Sequence, residues 1–199
     1  MKNNICKLFV CTLIFMTGCA TTVARVDTDE TIDLSGRWND TDSRLVSEEM
    51  ISDALARPWL KTFIKKHKGN SPTVIVGTVK NRSHEHINVQ TFVKDLERAL
   101  INSGEVEFVA GRQERGELRD ERRDQASHSS ENTAKSEGEE IGADYMLKGS
   151  INTIEDKVSG KSVMFYQVNL ELIHIETHKK VWIGEKKIKK FIKKSRMRL

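Results

Sequence analysis

Apolar positions along the chain switch between helical and strand-like spacing. Leu45, Val46, Met50, Ala54 and Leu55 recur with the period of an amphipathic helix, and Asp42-Ser43 before them are N-cap residue types. Pro58 suits the first position of a second, short helix, with Trp59, Leu60, Phe63 and Ile64 on its apolar face and Gly69 at its end. Thr73 to Lys80 is β-branched enough to read as a buried strand, followed by a loop from Asn81 to Ile87. Asn88 then caps a helix that turns Phe92, Val93, Leu96, Leu100 and Ile101 inward and closes at Ser103-Gly104. Val106 to Ala110 is a short strand. Arg112 to Glu140 is charged and small-polar: its first part is helical, and Ser127 to Ser136, with nothing to bury, is mobile.

The rest of the pattern is β. Ala143 to Val158, Lys161 to Glu176 and Lys180 to Ile188 are separated by connections short enough to force antiparallel hairpins. In the middle strand Met164, Tyr166, Val168, Leu170 and Leu172 share one face, and Gln167, Asn169 and Glu171 the other. One face is therefore packed by helices and the other is wet. The expected architecture is a single α+β domain, a small and mostly antiparallel sheet with helices packed on it.

The first residues decide the compartment. Lys2 and Lys7 precede an apolar run from Leu8 to Met16, and small Thr17-Gly18 precede Cys19. This is a secretory-signal layout whose apolar run is too short to span a bilayer of about 30 Å. Small residues directly before a cysteine resemble a bacterial lipobox. That resemblance implies cleavage before Cys19, acylation of Cys19, and, with Ala20-Thr21 following in place of an Asp, delivery to the outer membrane. Cys6 and Cys11 leave with the signal, so no thiol remains for a disulfide, a metal or a nucleophile. The expected organisation is a signal peptide over 1–18, a lipidated N-terminus and short tether over 19–36, a domain over 37–190, and a basic tail over 191–199. The polar stretch from Ala20 to Ile32 reaches at most about 45 Å.

Charge sharpens the division. The 33 Lys and Arg against 29 Asp and Glu give a formal +4. Loss of Lys2 and Lys7 leaves +2. Lys179 to Leu199 holds ten basic residues against Glu185, so residues 19–178 lean acidic, at −7. The basic block reads as a solvated edge that discourages aggregation, or as a patch for anionic lipid, glycan or an acidic partner. Nucleic acid is excluded by compartment.

Chemistry finds little support. His84-Glu85-His86 lacks a third ligand at metal spacing and reads as a solvated loop; His128, His174 and His178 are scattered. There is no G-x-S-x-G, no surviving cysteine and no glycine-rich phosphate loop. No enzyme, cofactor or metal is expected.

Three motifs carry a family resemblance. Val74 to Asn88 (V-I-V-G-T-V-K-N-R-S-H-E-H-I-N), Ile141 to Ser150 (I-G-A-D-Y-M-L-K-G-S) and Gln167 to Glu185, with its V-W-I-G, resemble the LpoB family, in order, from about Asp33 to Phe191. The resemblance implies an outer-membrane lipoprotein facing the periplasm that activates bifunctional penicillin-binding proteins, with a small sheet covered by helices. Enterobacterial members carry a long Pro- and Gln-rich tether; this chain has about a dozen residues there. The expected partners are a periplasmic domain of a penicillin-binding protein, the membrane through lipid on Cys19, and peptidoglycan as a further candidate, with the protein itself a monomer. The expected contact regions are the loop residues Lys80, Asn81 and Arg82 and the sheet edge at Lys186, Lys187, Lys189 and Lys190. The G-A-D-Y strand is also similar to CsgG-type and TolB N-terminal-type periplasmic domains, which leaves an accessory subunit of an outer-membrane secretion or surface-assembly complex as the alternative.

Overall fold

The structure is a computed structural model, and it describes residues 21–28, 30–130, 132–133, 135 and 140–193. The chain divides into two compact units, Met1–Glu30 and Thr31–Leu199. Of the first, residues 21–27 carry no regular structure, and Glu30 N donates to Asp27 O at 3.2 Å. The signal peptide, Cys19 and residues 194–199 lie outside the described residues, as do parts of 127–136.

In the second unit the first helix, α1, spans Asp40–Leu55. Its N-cap is Asn39, three residues earlier than Asp42-Ser43. Asn39 Oδ1 accepts from Asp42 N at 2.9 Å and Asp42 Oδ2 accepts from Asn39 N at 3.0 Å, a reciprocal capping box. Asp42 is thus inside the helix, at its third position. Pro58 opens α2 (Pro58–Lys66) as expected, and Asn88 caps α3 (Val89–Ser103) by accepting from Gln90 N at 3.1 Å. The charged segment forms α4 (Arg112–His128), which buries no residue. Two apolar positions read as inward are not: Leu45 is 48% exposed and Ile101 53%. Each sits at the margin of its helix stripe, where the 3.6-residue period carries it past the core.

The strands are β1 (Thr73–Arg82), β2 (Glu107–Phe108), β3 (Tyr145–Val158), β4 (Lys161–His174) and β5 (Lys180–Lys193), in the order β2-β1-β3-β4-β5. β1 pairs in parallel with both β2 and β3, while β3-β4-β5 is an antiparallel meander. The sheet is accordingly mixed. The crossover through α3 and α4 makes the first pairings parallel, because a connection that long returns the chain in the same direction.

The unit also reaches beyond the expected limits at both ends. Residues 33–36 bond to the folded body, and β5 continues past Ile188 to Lys193, pairing Phe191 with Val163 and Ile192 with Ser162. The basic composition there hid a strand whose alternate residues still pack.

The core lies between α1, α2, α3 and one sheet face. Val46, Val74, Phe92, Leu96, Ile151, Tyr166, Val168 and Leu170 are fully enclosed. At the centre, a side chain at Gly149 would meet Asn169 O at 2.1 Å, so only glycine lets β3 and β4 approach there.

Candidate docking face

The three motifs have structural tasks. In N-R-S, Asn81 Oδ1 accepts from Ser83 N at 2.9 Å, and its Nδ2 donates to Glu85 O at 2.8 Å, which shapes the loop after β1. In G-A-D-Y, Asp144 Oδ2 and N bond Thr73 N and O, both at 2.8 Å, tying the start of β3 to the start of β1. In V-W-I-G, the bare Gly184 leaves room for the Trp182 ring, since a Cβ there would lie 2.1 Å from the indole. The indole Nε1 then donates to Asp53 Oδ2 on α1 at 2.8 Å. That bond, with the Arg57 ion pair, holds the Asp53 carboxyl below its usual pKa.

The H-E-H loop is less solvated than its composition implies. Glu85 is half-buried: Tyr166 Oη donates to its carboxylate at 2.9 Å and Trp38 N donates to Oε2 at 3.2 Å. Trp38 packs edge-on against Phe92 and Tyr166, at centroid distances of 5.9 and 5.6 Å. Burial first, and the Glu85 hydrogen bond second, raise the Tyr166 pKa far above the phenol range, so the hydroxyl remains a donor. His84 and His86 stay exposed. Among the described residues no three His, Cys, Asp or Glu side chains are grouped as a metal ion would need.

Strand parity sorts the seven expected contact residues. Lys186, Ile188 and Lys190 alternate with Lys187 and Lys189 along β5 and point to the helix side. Lys190 is only 11% exposed, with Nζ 2.6 Å from Asp42 Oδ2 and 2.7 Å from Asp33 Oδ1. Burial opposes its charge, but the two carboxylates outweigh that and raise its pKa. For Asp42 burial dominates and raises the pKa against the pull of Lys190. Lys186 pairs with Glu49 on α1. Asn81, opposite buried Ile151, also turns to this side. These three organise the domain.

The other four meet on the open face. Lys80 pairs with Ser150 and Arg82 with Asn152 across β1 and β3. Asn152 continues to Gln167, and Gln167 to Lys187. Paired residues share a face, so Arg82, Asn152, Gln167 and Lys187 form one row across four strands. Lys189 lies in the next row, opposite Phe165 and then Ile154. Lys187 pairs with Glu185 at 2.5 Å, whereas Lys80, Arg82 and Lys189 have no acidic partner among the described residues. Toward the β3–β4 turn the face becomes apolar, with Ile154 66% and Phe191 65% exposed. These two residues and Asn152 went unnoticed in the sequence, although Gln167 already read onto the wet face; the period-2 alternation of β3 and the continuation of β5 were the signals. The face offers cations, amides and exposed apolar groups on a rigid sheet. It suits recognition by surface complementarity.

The family described as "Peptidoglycan-synthase activator LpoB" matches residues 42–188. The chain belongs to the LpoB family. No curated protein matches it in sequence. Solved structures similar to it include the LpoB C-terminal domain from Salmonella enterica, 17% identical over 74% of this chain and 98% of that one, with a TM-score of 0.44. The Escherichia coli LpoB structure determined by NMR is 17% identical over 89% of this chain and 87% of that one, with a TM-score of 0.42. The lipoprotein GNA1162 from Neisseria meningitidis is 13% identical over 60% and 83%, with a TM-score of 0.39. The family match begins at Asp42, in the first turn of α1, runs to Ile188 and takes in the three motifs of the folded unit. Phe191 and the segment 33–39 that holds Lys190 lie beyond its two ends.

Proposed function

We propose that this LpoB-family chain is a periplasm-facing lipoprotein, anchored in the outer membrane through lipid on Cys19, that docks on a periplasmic domain of a penicillin-binding protein and activates it. It does no chemistry itself. Activation follows from binding the active conformation of the synthase more tightly than the inactive one. The observation that carries this reading is the cross-strand row Arg82-Asn152-Gln167-Lys187, flanked by Lys80 and Lys189, on the sheet face opposite the helix-packed core. The matching partner surface is acidic or amide-rich, with an apolar contact to meet Ile154 and Phe191. Among the described residues no helix is long and apolar enough to cross a membrane, and the lipid is the proposed attachment. Peptidoglycan is a secondary ligand in this reading, and the active form is a monomer.

Two measurements test it. Mass spectrometry of the mature protein should find an acylated Cys19 at the N-terminus; an intact Met1 rejects the anchor. Purified lipoprotein added to the native bifunctional synthase should bind it and speed glycan polymerisation. Neither binding nor stimulation of any native synthase rejects the partner.

A further inference from the structure

A second feature lies away from the docking face, where α2, the start of β3 and the β4–β5 turn come together. They enclose a cleft of about 590 Å³, within the ~300–1,000 Å³ common for ligand sites. Its wall is aromatic. Tyr145 packs between Trp59 (4.9 Å), Phe63 (5.6 Å) and His174 (5.1 Å), and His67 stacks on Phe63 at 3.8 Å.

The charged groups of the cleft are cations, and its histidines differ in tautomer: His67 Nδ1 donates to Phe63 O at 2.9 Å, which leaves its Nε2 an acceptor in the neutral ring. Lys66 and Lys179 line it and have no acidic partner among the described residues, and no Asp or Glu is among its lining residues. His174 Nδ1 accepts from Thr177 N at 3.2 Å, so the neutral ring carries its hydrogen on Nε2. Tyr145 is 5% exposed, yet its hydroxyl makes no hydrogen bond among the described residues. Its oxygen is not sealed off, since Arg115 Nε is the buried unpaired side-chain atom among the described residues, so the hydroxyl opens to the cleft. Burial, and behind it the charge of Asp144, raise the pKa of the phenol, which stays protonated and can donate into the cleft.

We infer that the cleft binds an acidic peptide segment of a protein partner, taking a large apolar side chain against Trp59, Phe63 and Tyr145 and a neighbouring carboxylate between the Tyr145 hydroxyl and Lys66 or Lys179. Charge complementarity fixes the sign of the ligand, and the aromatic wall fixes its apolar half. The inference does not depend on the open sheet face, whose residues line no part of this cleft.

The test is an NMR titration of the full-length protein in detergent, read at the tryptophan indole N–H signals. N-acetyl-Phe-Asp-amide should move the Trp59 signal and leave Trp38 and Trp182 in place. N-acetyl-Phe-Asn-amide should bind at least about tenfold more weakly, because the charge-assisted hydrogen bonds are lost. Tyr145→Phe keeps the ring packing and should weaken the Asp peptide several-fold with the unfolding midpoint unchanged. Lys179→Gln, on an exposed turn, should do the same independently. Equal affinity for the Asp and Asn peptides, or no Trp59 response to either, overturns the inference. So does a Trp59 response to phosphatidylglycerol vesicles alone, which would make the cleft a lipid site.

Discussion

Lys189 and Lys190 are neighbours in sequence with opposite surroundings, and replacing each by Met separates their roles. Lys190 Nζ meets Asp42 and Asp33 and also donates to Arg37 O at 3.2 Å, with little solvent access. Removing one partner of a buried ion pair costs about 3–5 kcal/mol, mainly because the remaining charge stays buried. Asp33 is half exposed, which lowers the figure, while Asp42 is enclosed and keeps its penalty. Lys190→Met should therefore lose about 2–3 kcal/mol of unfolding free energy. For a domain of this size that is a fall of about 4–12 °C in Tm. Lys189→Met changes an exposed residue and should stay within about 0.5 kcal/mol. Urea unfolding of both variants gives the comparison, with unchanged m-values showing that the same transition is measured. Adding Asp42→Asn to Lys190→Met should recover part of the loss, since an amide still accepts the Asn39 amide hydrogen without carrying charge. Equal stability of the two lysine variants would refute the assignment of Lys190 to the helix side of β5.

Tyr166→Phe removes the hydroxyl donor to the Glu85 carboxylate and should cost about 1–3 kcal/mol in chemical denaturation. Gly184→Ala places a methyl against the Trp182 indole; displacing the ring from Asp53 should destabilise by about 1–3 kcal/mol and change the Trp182 indole signal. The raised pKa of Asp42 means that the folded state takes up this proton before the unfolded state does. Its contribution to stability therefore grows as pH falls through the folded pKa and is complete below the unfolded carboxylate value of about 3.9. Relative to Asp42→Asn, wild type should gain stability between pH 7 and about pH 4, and a difference flat with pH would contradict the burial of that carboxyl.

Much of the fold was legible because its signals are local. The alternation from Met164 to Leu172 gave β4 with the correct faces, Pro58 marked α2, and Asn88 marked α3. Less legible were features that depend on distant partners. Asn39 rather than Asp42 caps α1, because the capping box is reciprocal and Asp42 is held inside it by Lys190, far along the chain. Lys190 reads as tail-like basic sequence, and only pairing of β5 with β4 places it on the packed side. The parallel pairings of β1 are likewise invisible to hairpin logic, which sees only adjacent segments.

The proposed contact residues were half legible for the same reason. Lys80, Arg82, Lys187 and Lys189 were chosen as exposed cations near a loop and an edge, and the register then brings all four onto one face. Asn81, Lys186 and Lys190 were chosen on equal grounds and turn the other way. Composition cannot separate them; strand parity can. The motifs that carry the family resemblance hold the scaffold: Asp144 anchors β3, and Trp182 fastens β5 to α1. The proposed contact residues lie between and beside them.

If the open sheet face engages the synthase, reversing its charge must weaken both binding and activation. Charge reversal decides it: the protein carrying Arg82→Glu and Lys189→Glu is compared with wild type, both for binding to the native bifunctional synthase and for stimulated glycan polymerisation. The pair should weaken binding by about tenfold or more and abolish stimulation, with the unfolding midpoint unchanged, since neither residue holds the fold together. Full binding and stimulation by the double variant would contradict the account.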